Sequence, residues 1–195
     1  MSNEEKLKEF LNNNHGYITT SEFLNIGISK PLIQRFIDDG IIERINHGLY
    51  MDTNIFKDEY YILQNKYPLA IFSYNTALHI LNLTNRTPDV IDITVPRDKK
   101  VRGNYNVHRV SKKYYEIGII DEISSLGNPI KVYNAERCIC DMLRSTDEFD
   151  LELQNRVLNY YWNSKDKNID LLLEYAKIFN IYDKVNTIVE VMFKW

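Results

Sequence analysis

Within the first 52 residues the hydrophobic period changes once, from helical to extended, and that change limits the folds open to the chain. Leu7, Phe10 and Leu11 recur at helical spacing and predict an amphipathic helix over 4–13, closed by Gly16. Tyr17 and Ile18 read as a short extended link. Thr19-Thr20-Ser21-Glu22 then forms a capping box, in which the Thr19 hydroxyl takes a first-turn N–H and the Glu22 carboxylate reaches back. The helix it opens is brief, because Gly27 breaks it. Ser29 is placed to cap a third helix, and Pro31 falls in its first turn, where a missing N–H costs nothing. Leu32, Ile33, Phe36 and Ile37 of that helix face inward. Lys30, Gln34, Arg35 and Asp38 face solvent, and Gly40 suits the position after the helix end. Residues 41–45 and 49–51 then read as strands around Asn46-His47-Gly48, a tight hairpin for which Gly supplies positive φ. Helix, helix, turn, helix and hairpin is the order of a winged helix-turn-helix.

In that architecture the third helix enters the major groove of DNA. The expected contacts are Ser29 and Lys30 at its start and Gln34 and Arg35 along its exposed face. Gln can pair with an adenine edge, and Arg with guanine or phosphate. Arg44 and His47 on the hairpin are placed for phosphate or minor-groove contact. The alternative is an ordinary solvated surface on a protein-interaction module. Charge bears on the choice: the chain carries −3, and residues 1–52 hold 5 basic side chains against 8 acidic ones. The basic excess lies elsewhere. Residues 97–113 hold Arg97, Lys99, Lys100, Arg102, Arg109, Lys112 and Lys113 against one acid, Asp98, for a net +6. Arg97, Lys99, Lys100, Arg102 and Arg109 are therefore expected to contact phosphates. The bland reading of that stretch is a strand edge whose lysines deter aggregation.

After the hairpin the pattern predicts a helix over 56–67 ended by Pro68, and a second helix capped by Ser73 with Ala77, Leu78 and Leu81 inward. Strands follow over 90–95, 105–110, 116–124 and 130–133, with a turn at Gly127-Asn128-Pro129. From Ala135 the period is helical again, with Cys138, Ile139, Met142 and Leu143 on one stripe and further helices at 149–162, 168–179 and 181–193. The fold class is α+β: a winged helix-turn-helix at 1–52, then a mixed domain at 53–195 with a central sheet and C-terminal helices. The opening MSNEEKLKEF lacks the apolar core of a secretory signal, and no apolar run is long enough to span a membrane. Cys138 and Cys140 are too close together to staple a fold, so a reduced, cytoplasmic setting is expected.

Several stretches, in order, resemble the AbiEi family of abortive-infection antitoxins. They are Tyr17-Ile18-Thr19-Thr20-Ser21-Glu22, the third helix, and Glu43-Arg44-Ile45-Asn46-His47-Gly48-Leu49-Tyr50. Next come the Ser73 helix with Ala77-Leu78, the Pro88 approach to Ile91-Asp92-Ile93-Thr94-Val95-Pro96, and Lys131-Val132-Tyr133-Asn134-Ala135-Glu136-Arg137 leading to Asp141-Met142-Leu143-Arg144. The resemblance covers about residues 3–145. It implies an antitoxin of a type IV toxin–antitoxin system, used in phage defence. Such a protein represses its own operon by binding inverted repeats in double-stranded DNA. It opposes a nucleotidyltransferase-like toxin without a stable complex, as a monomer or weak dimer. A stand-alone winged-helix transcription regulator is the alternative.

Enzymatic readings fare worse. Pro88-Asp89 and Asp98-Lys99-Lys100 imitate the spacing of a metal-dependent nuclease. Pro96, however, interrupts the strand that should carry Asp98. Cys138 and Cys140 lack a second Cys/His pair at zinc spacing and read as buried structural thiols. His79 reads as a core or boundary residue. Glu136 and Arg137 open a helix, where Glu favours the positive end of the dipole. There is no phosphate-binding glycine loop and no Ser-His-Asp pattern, so neither a catalytic residue, a metal nor a cofactor is expected.

Overall fold

The computed structural model describes residues 1–145 and 149–193. The chain divides into two compact units, 1–68 with 122–130, and 69–121 with 131–195. The first begins with helix α1 (Asn3–Asn13), strand β1 (Tyr17–Thr19), helices α2 (Thr20–Asn25) and α3 (Lys30–Asp38), and strands β2 (Ile42–Asn46) and β3 (Leu49–Asp52). Two capping boxes fix the helix starts. Ser2 and Glu5 bind each other's backbone N–H groups at α1, and Thr19 and Glu22 do so at α2 with bonds of 3.3 and 2.7 Å. Each cap is worth about 1 kcal/mol. The strands form an antiparallel sheet in the order β1-β3-β2. Leu7 and Leu11 of α1, Phe23 of α2, and Ile33 and Phe36 of α3 bury against Ile18, Ile42 and Tyr50 of that sheet. Phe23 meets Tyr50 edge to face at 5.4 Å. This is a winged helix-turn-helix.

Helix α4 (Glu59–Lys66) completes the helical part of this unit and starts three residues later than the pattern predicted. Asp58 is the reason: its carboxylate accepts the Tyr61 N–H as an N-cap, while Lys57 pairs with Glu43 and Phe56 stays exposed. Asp58 is itself buried. It takes hydrogen bonds from the Ser124 hydroxyl and, at 2.8 Å, from the Asn128 amide, and its own N–H donates to the Tyr17 hydroxyl. That network holds residues 124–128 to the same unit as β1 and α4.

The remaining elements are β4 (Ile71–Phe72), α5 (Tyr74–Ile80), β5 (Ile91–Pro96), β6 (Tyr105–Val110), α6 (Lys112–Tyr115), β7 (Ile119–Ile123), β8 (Pro129–Tyr133), α7 (Ala135–Arg144), α8 (Leu151–Asn163), α9 (Ile169–Ile178) and α10 (Tyr182–Phe193). The sheet order is β6-β5-β4-β8-β7. The expected strand over 116–124 is shorter: Glu116 caps the end of α6 and Gly118 takes a positive φ of +81°, so the strand opens only at Ile119. Helix α7 packs against α5, α8 and α9 and is buried all round, not along one stripe. The class is α+β, as the sequence implies.

Candidate nucleic-acid interface

Helix α3 buries Ile33 and Phe36 and turns Lys30, Gln34 and Arg35 to solvent. The two sets are separated by the 3.6-residue period, so the packing that seats the helix also presents the polar face. Ser29 sits at the N-cap and is exposed, but its hydroxyl makes no capping bond; Pro31 in the first turn removes one of the orphan N–H groups instead. The exposed donors are not bare. The Gln34 amide donates to the Asp38 carboxylate at 2.9 Å, and Arg35 Nε lies 3.5 Å from the Asp39 carboxylate. Asp38 stands in solvent, as its place on the polar face implies, and pairs with Gln34 there. The i, i+4 spacing was the available signal.

The wing is tighter than Asn46-His47-Gly48 suggested. Asn46 pairs with Leu49, which leaves His47 and Gly48 as the turn, with Gly48 at φ +85°. A bulge between Arg44 and Asn46 accommodates the extra residue. Arg44 folds over the turn, donating from Nε to the Asn46 carbonyl at 3.3 Å and lying 3.2 Å from His47 Nδ1. Arg44 and His47 thus form one exposed polar tip that carries the Arg44 charge.

In the second unit β5 and β6 are neighbours and parallel, with Val95 opposite Arg109 and Pro96 opposite Val110. Parallel neighbours normally need a crossover of a dozen or more residues. Here the chain returns through residues 97–104 alone, with a turn at 97–98, a bend at 103–104 and no crossover helix. This segment carries Arg97, Lys99, Lys100 and Arg102. The Arg97 N–H bonds the Val110 carbonyl at 2.9 Å, which ties the start of this segment to the end of β6. Lys112 and Lys113 follow on α6, and all seven basic residues are exposed. On β6 the alternate face carries His108, which meets the buried Asp92 carboxylate at 3.0 Å and stacks on Tyr74 at 3.6 Å between centroids. The strand therefore sorts its basic residue outward and its imidazole inward.

Asp98 is 71% exposed and pairs with Lys99 at 3.0 Å, an arrangement that holds both side chains at the loop surface. Asp89 instead lines a cavity of about 470 Å³ with Asp92, Asn75 and Asn106, to which Asp98 does not contribute. Among the described residues no group of three or more His, Cys, Asp or Glu could hold a metal ion. Cys138 and Cys140 are buried, and burial pushes the Cys140 thiol up to about 12. His79 is half-buried. The N-cap of α7 is Asn134, whose side chain accepts the Arg137 N–H. Glu136 is buried and accepts from the Tyr161 hydroxyl at 2.9 Å and the Asn168 N–H at 3.1 Å. Arg137 is also buried. It pairs with Asp141 at 2.7 Å, donates to the carbonyls of Tyr114 and Ile117, and lies over the rings of Tyr133 and Phe179. Among the described residues no helix is long and apolar enough to cross a membrane.

Residues 5–51 match the family model described as "Transcriptional regulator, AbiEi antitoxin". The match ends one residue before the end of β3 and covers the three helices and the wing. No curated protein sequence matches the chain. Among solved structures, the crystal structure of the RV2827C protein from Mycobacterium tuberculosis is similar in fold, with a TM-score of 0.59 at 12% identity, over 90% of this chain and 71% of that one.

Proposed function

We propose that this chain is an AbiEi-type antitoxin that represses its own operon by binding inverted repeats in duplex DNA, and that it opposes a nucleotidyltransferase-like toxin encoded beside it. The observation that carries the reading is the exposed set Lys30, Gln34 and Arg35 on the third helix of a module whose residues match an antitoxin transcriptional-regulator family. Ser29 and Lys30 approach the phosphates at the helix start, and Gln34 and Arg35 reach base edges in the major groove. Arg44 and His47 grip the flanking backbone through the wing. Arg97, Lys99, Lys100, Arg102 and Arg109 supply sequence-independent phosphate contacts, and each one engaged adds to the salt dependence of binding. The protein acts in the cytoplasm as a non-enzymatic regulator, a monomer or weak dimer that dimeric operator sites can recruit cooperatively.

A stand-alone regulator is a second reading, favoured by the fact that the family match stops at residue 51. A titration of the protein against its own upstream DNA at two salt concentrations tests the first. Gln34→Ala/Arg35→Ala should abolish specific binding, and Lys99→Ala/Lys100→Ala should flatten the salt slope by about two. Absence of binding by the wild type would sink the repressor reading. Rescue of growth on co-expression with the neighbouring gene product separates antitoxin from stand-alone regulator.

A further inference from the structure

We propose that Asp38 and Asp39 determine DNA specificity, by holding Gln34 and Arg35 in internal pairs that a matching base edge displaces and a bare phosphate does not. The inference rests on the DNA-binding reading above and deepens it.

Four observations converge. Gln34 and Arg35, the two side chains best suited to read bases, are each engaged by a carboxylate four residues on, at 2.9 and 3.5 Å. Both acids are exposed, and the core contacts of α3 come from its other face. They sit in the last turn and at the C-cap of α3, the negative end of the helix dipole, where carboxylates cost helix stability. The module as a whole holds 8 acids against 5 bases, an unusual balance for a phosphate-binding surface.

The physical consequence follows from how the two kinds of binding gain free energy. Non-specific binding is driven by counterion release and scales with the net cationic charge presented to the backbone. Two carboxylates beside Arg35 cancel that charge and repel phosphates. Base readout depends instead on directed hydrogen bonds. Gln can make two bonds to adenine and Arg two to guanine, each bidentate pair discriminating by far more than a surface i, i+4 pair is worth. A matching edge therefore wins Gln34 and Arg35 from their acids, while a random duplex offers nothing that repays the repulsion. The fitting partner is duplex DNA presenting adenine and guanine edges in one major groove.

Asp38→Asn/Asp39→Asn removes the two charges while keeping side-chain shape, and circular dichroism checks that the helices persist. Affinities are measured for the upstream duplex and for a scrambled duplex of equal length, at two salt concentrations. The scrambled duplex should bind more tightly by about fivefold per charge removed near physiological salt, with a steeper salt slope. The upstream duplex should gain less, so the specificity ratio falls. A wild type that binds upstream DNA, paired with a folded variant whose scrambled affinity and slope are unchanged, overturns this inference and leaves the repressor reading standing. A variant that gains scrambled-duplex binding where the wild type binds no upstream DNA supports the acidic screen and removes the operator reading. If neither protein binds any duplex, both fall.

Discussion

Helices α3 and α7 each carry an arginine four residues before an aspartate, and the two pairs do opposite things. In α3, Arg35 and Asp39 lie 3.5 Å apart with side chains 74% and 53% exposed. In α7, Arg137 and Asp141 lie 2.7 Å apart at 1% and 4%. Water screens the first pair, so it is worth a few tenths of a kcal/mol and exchanges readily for another partner. The second has lost its water. Its charges are tolerable only because each finds fixed partners, including the Tyr114 and Ile117 carbonyls and two aromatic faces for Arg137. Gly118 makes room for this: a Cβ there would stand 2.8 Å from Arg137 Cβ and 2.8 Å from Asn134 Oδ1. The same spacing yields an exchangeable surface pair in one unit and a fixed structural centre in the other.

The largest effect should come from breaking the buried pair. Arg137→Ala leaves the Asp141 carboxylate only Arg144, 3.5 Å away, as a charged partner and is expected to cost about 3–5 kcal/mol, read as a drop in the urea midpoint. Arg137→Met/Asp141→Leu should recover a large part of that, although two carbonyls then lose their donor. A single-variant cost no greater than that of a surface substitution would erase the contrast between the helices. Next in size is Arg35→Ala, which should change folding stability by about 0.5 kcal/mol or less while abolishing specific DNA binding. A stability loss near that of Arg137→Ala would mean that Arg35 is structural.

The smallest effect belongs to a third pair, Arg86 and Asp150, 2.6 Å apart and half-exposed. The hydrogen bond from Arg86 holds the Asp150 carboxyl below the usual carboxylate range. A carboxyl depressed in the folded state adds stability above its unfolded pKa, and that contribution is lost as pH falls through the lower folded value. Acid below about pH 4 should therefore remove it. Arg86→Ala should return the Asp150 carboxyl to its ordinary range in an NMR titration. An unmoved carboxyl would show that the Leu153 N–H it caps is what holds it down.

Much of the winged helix was legible along the chain, because its signals are local. Thr19 and Glu22 close a capping box over four residues, Gly48 turns the wing, and the spacing of Ile33 and Phe36 orients α3 whatever lies elsewhere. The exposed face of α3 followed from the same period. The short parallel return through 97–104 was not legible, since the strand pattern of β5 and β6 does not say which way they pair.

What the sequence by itself determined, then, is the order of elements in the winged helix, the polar face of α3 and the charge contrast between 1–52 and 97–113. All three are properties of neighbours in the chain. Only the tertiary structure decided that Asp58 gathers Ser124 and Asn128, that the basic segment 97–104 joins two parallel neighbours, and that Glu136, Arg137 and Asp141 are buried. These depend on which distant groups exclude water from a side chain. A carboxylate reads the same in sequence whether it faces solvent or a guanidinium, and burial alone sets the energy of the difference.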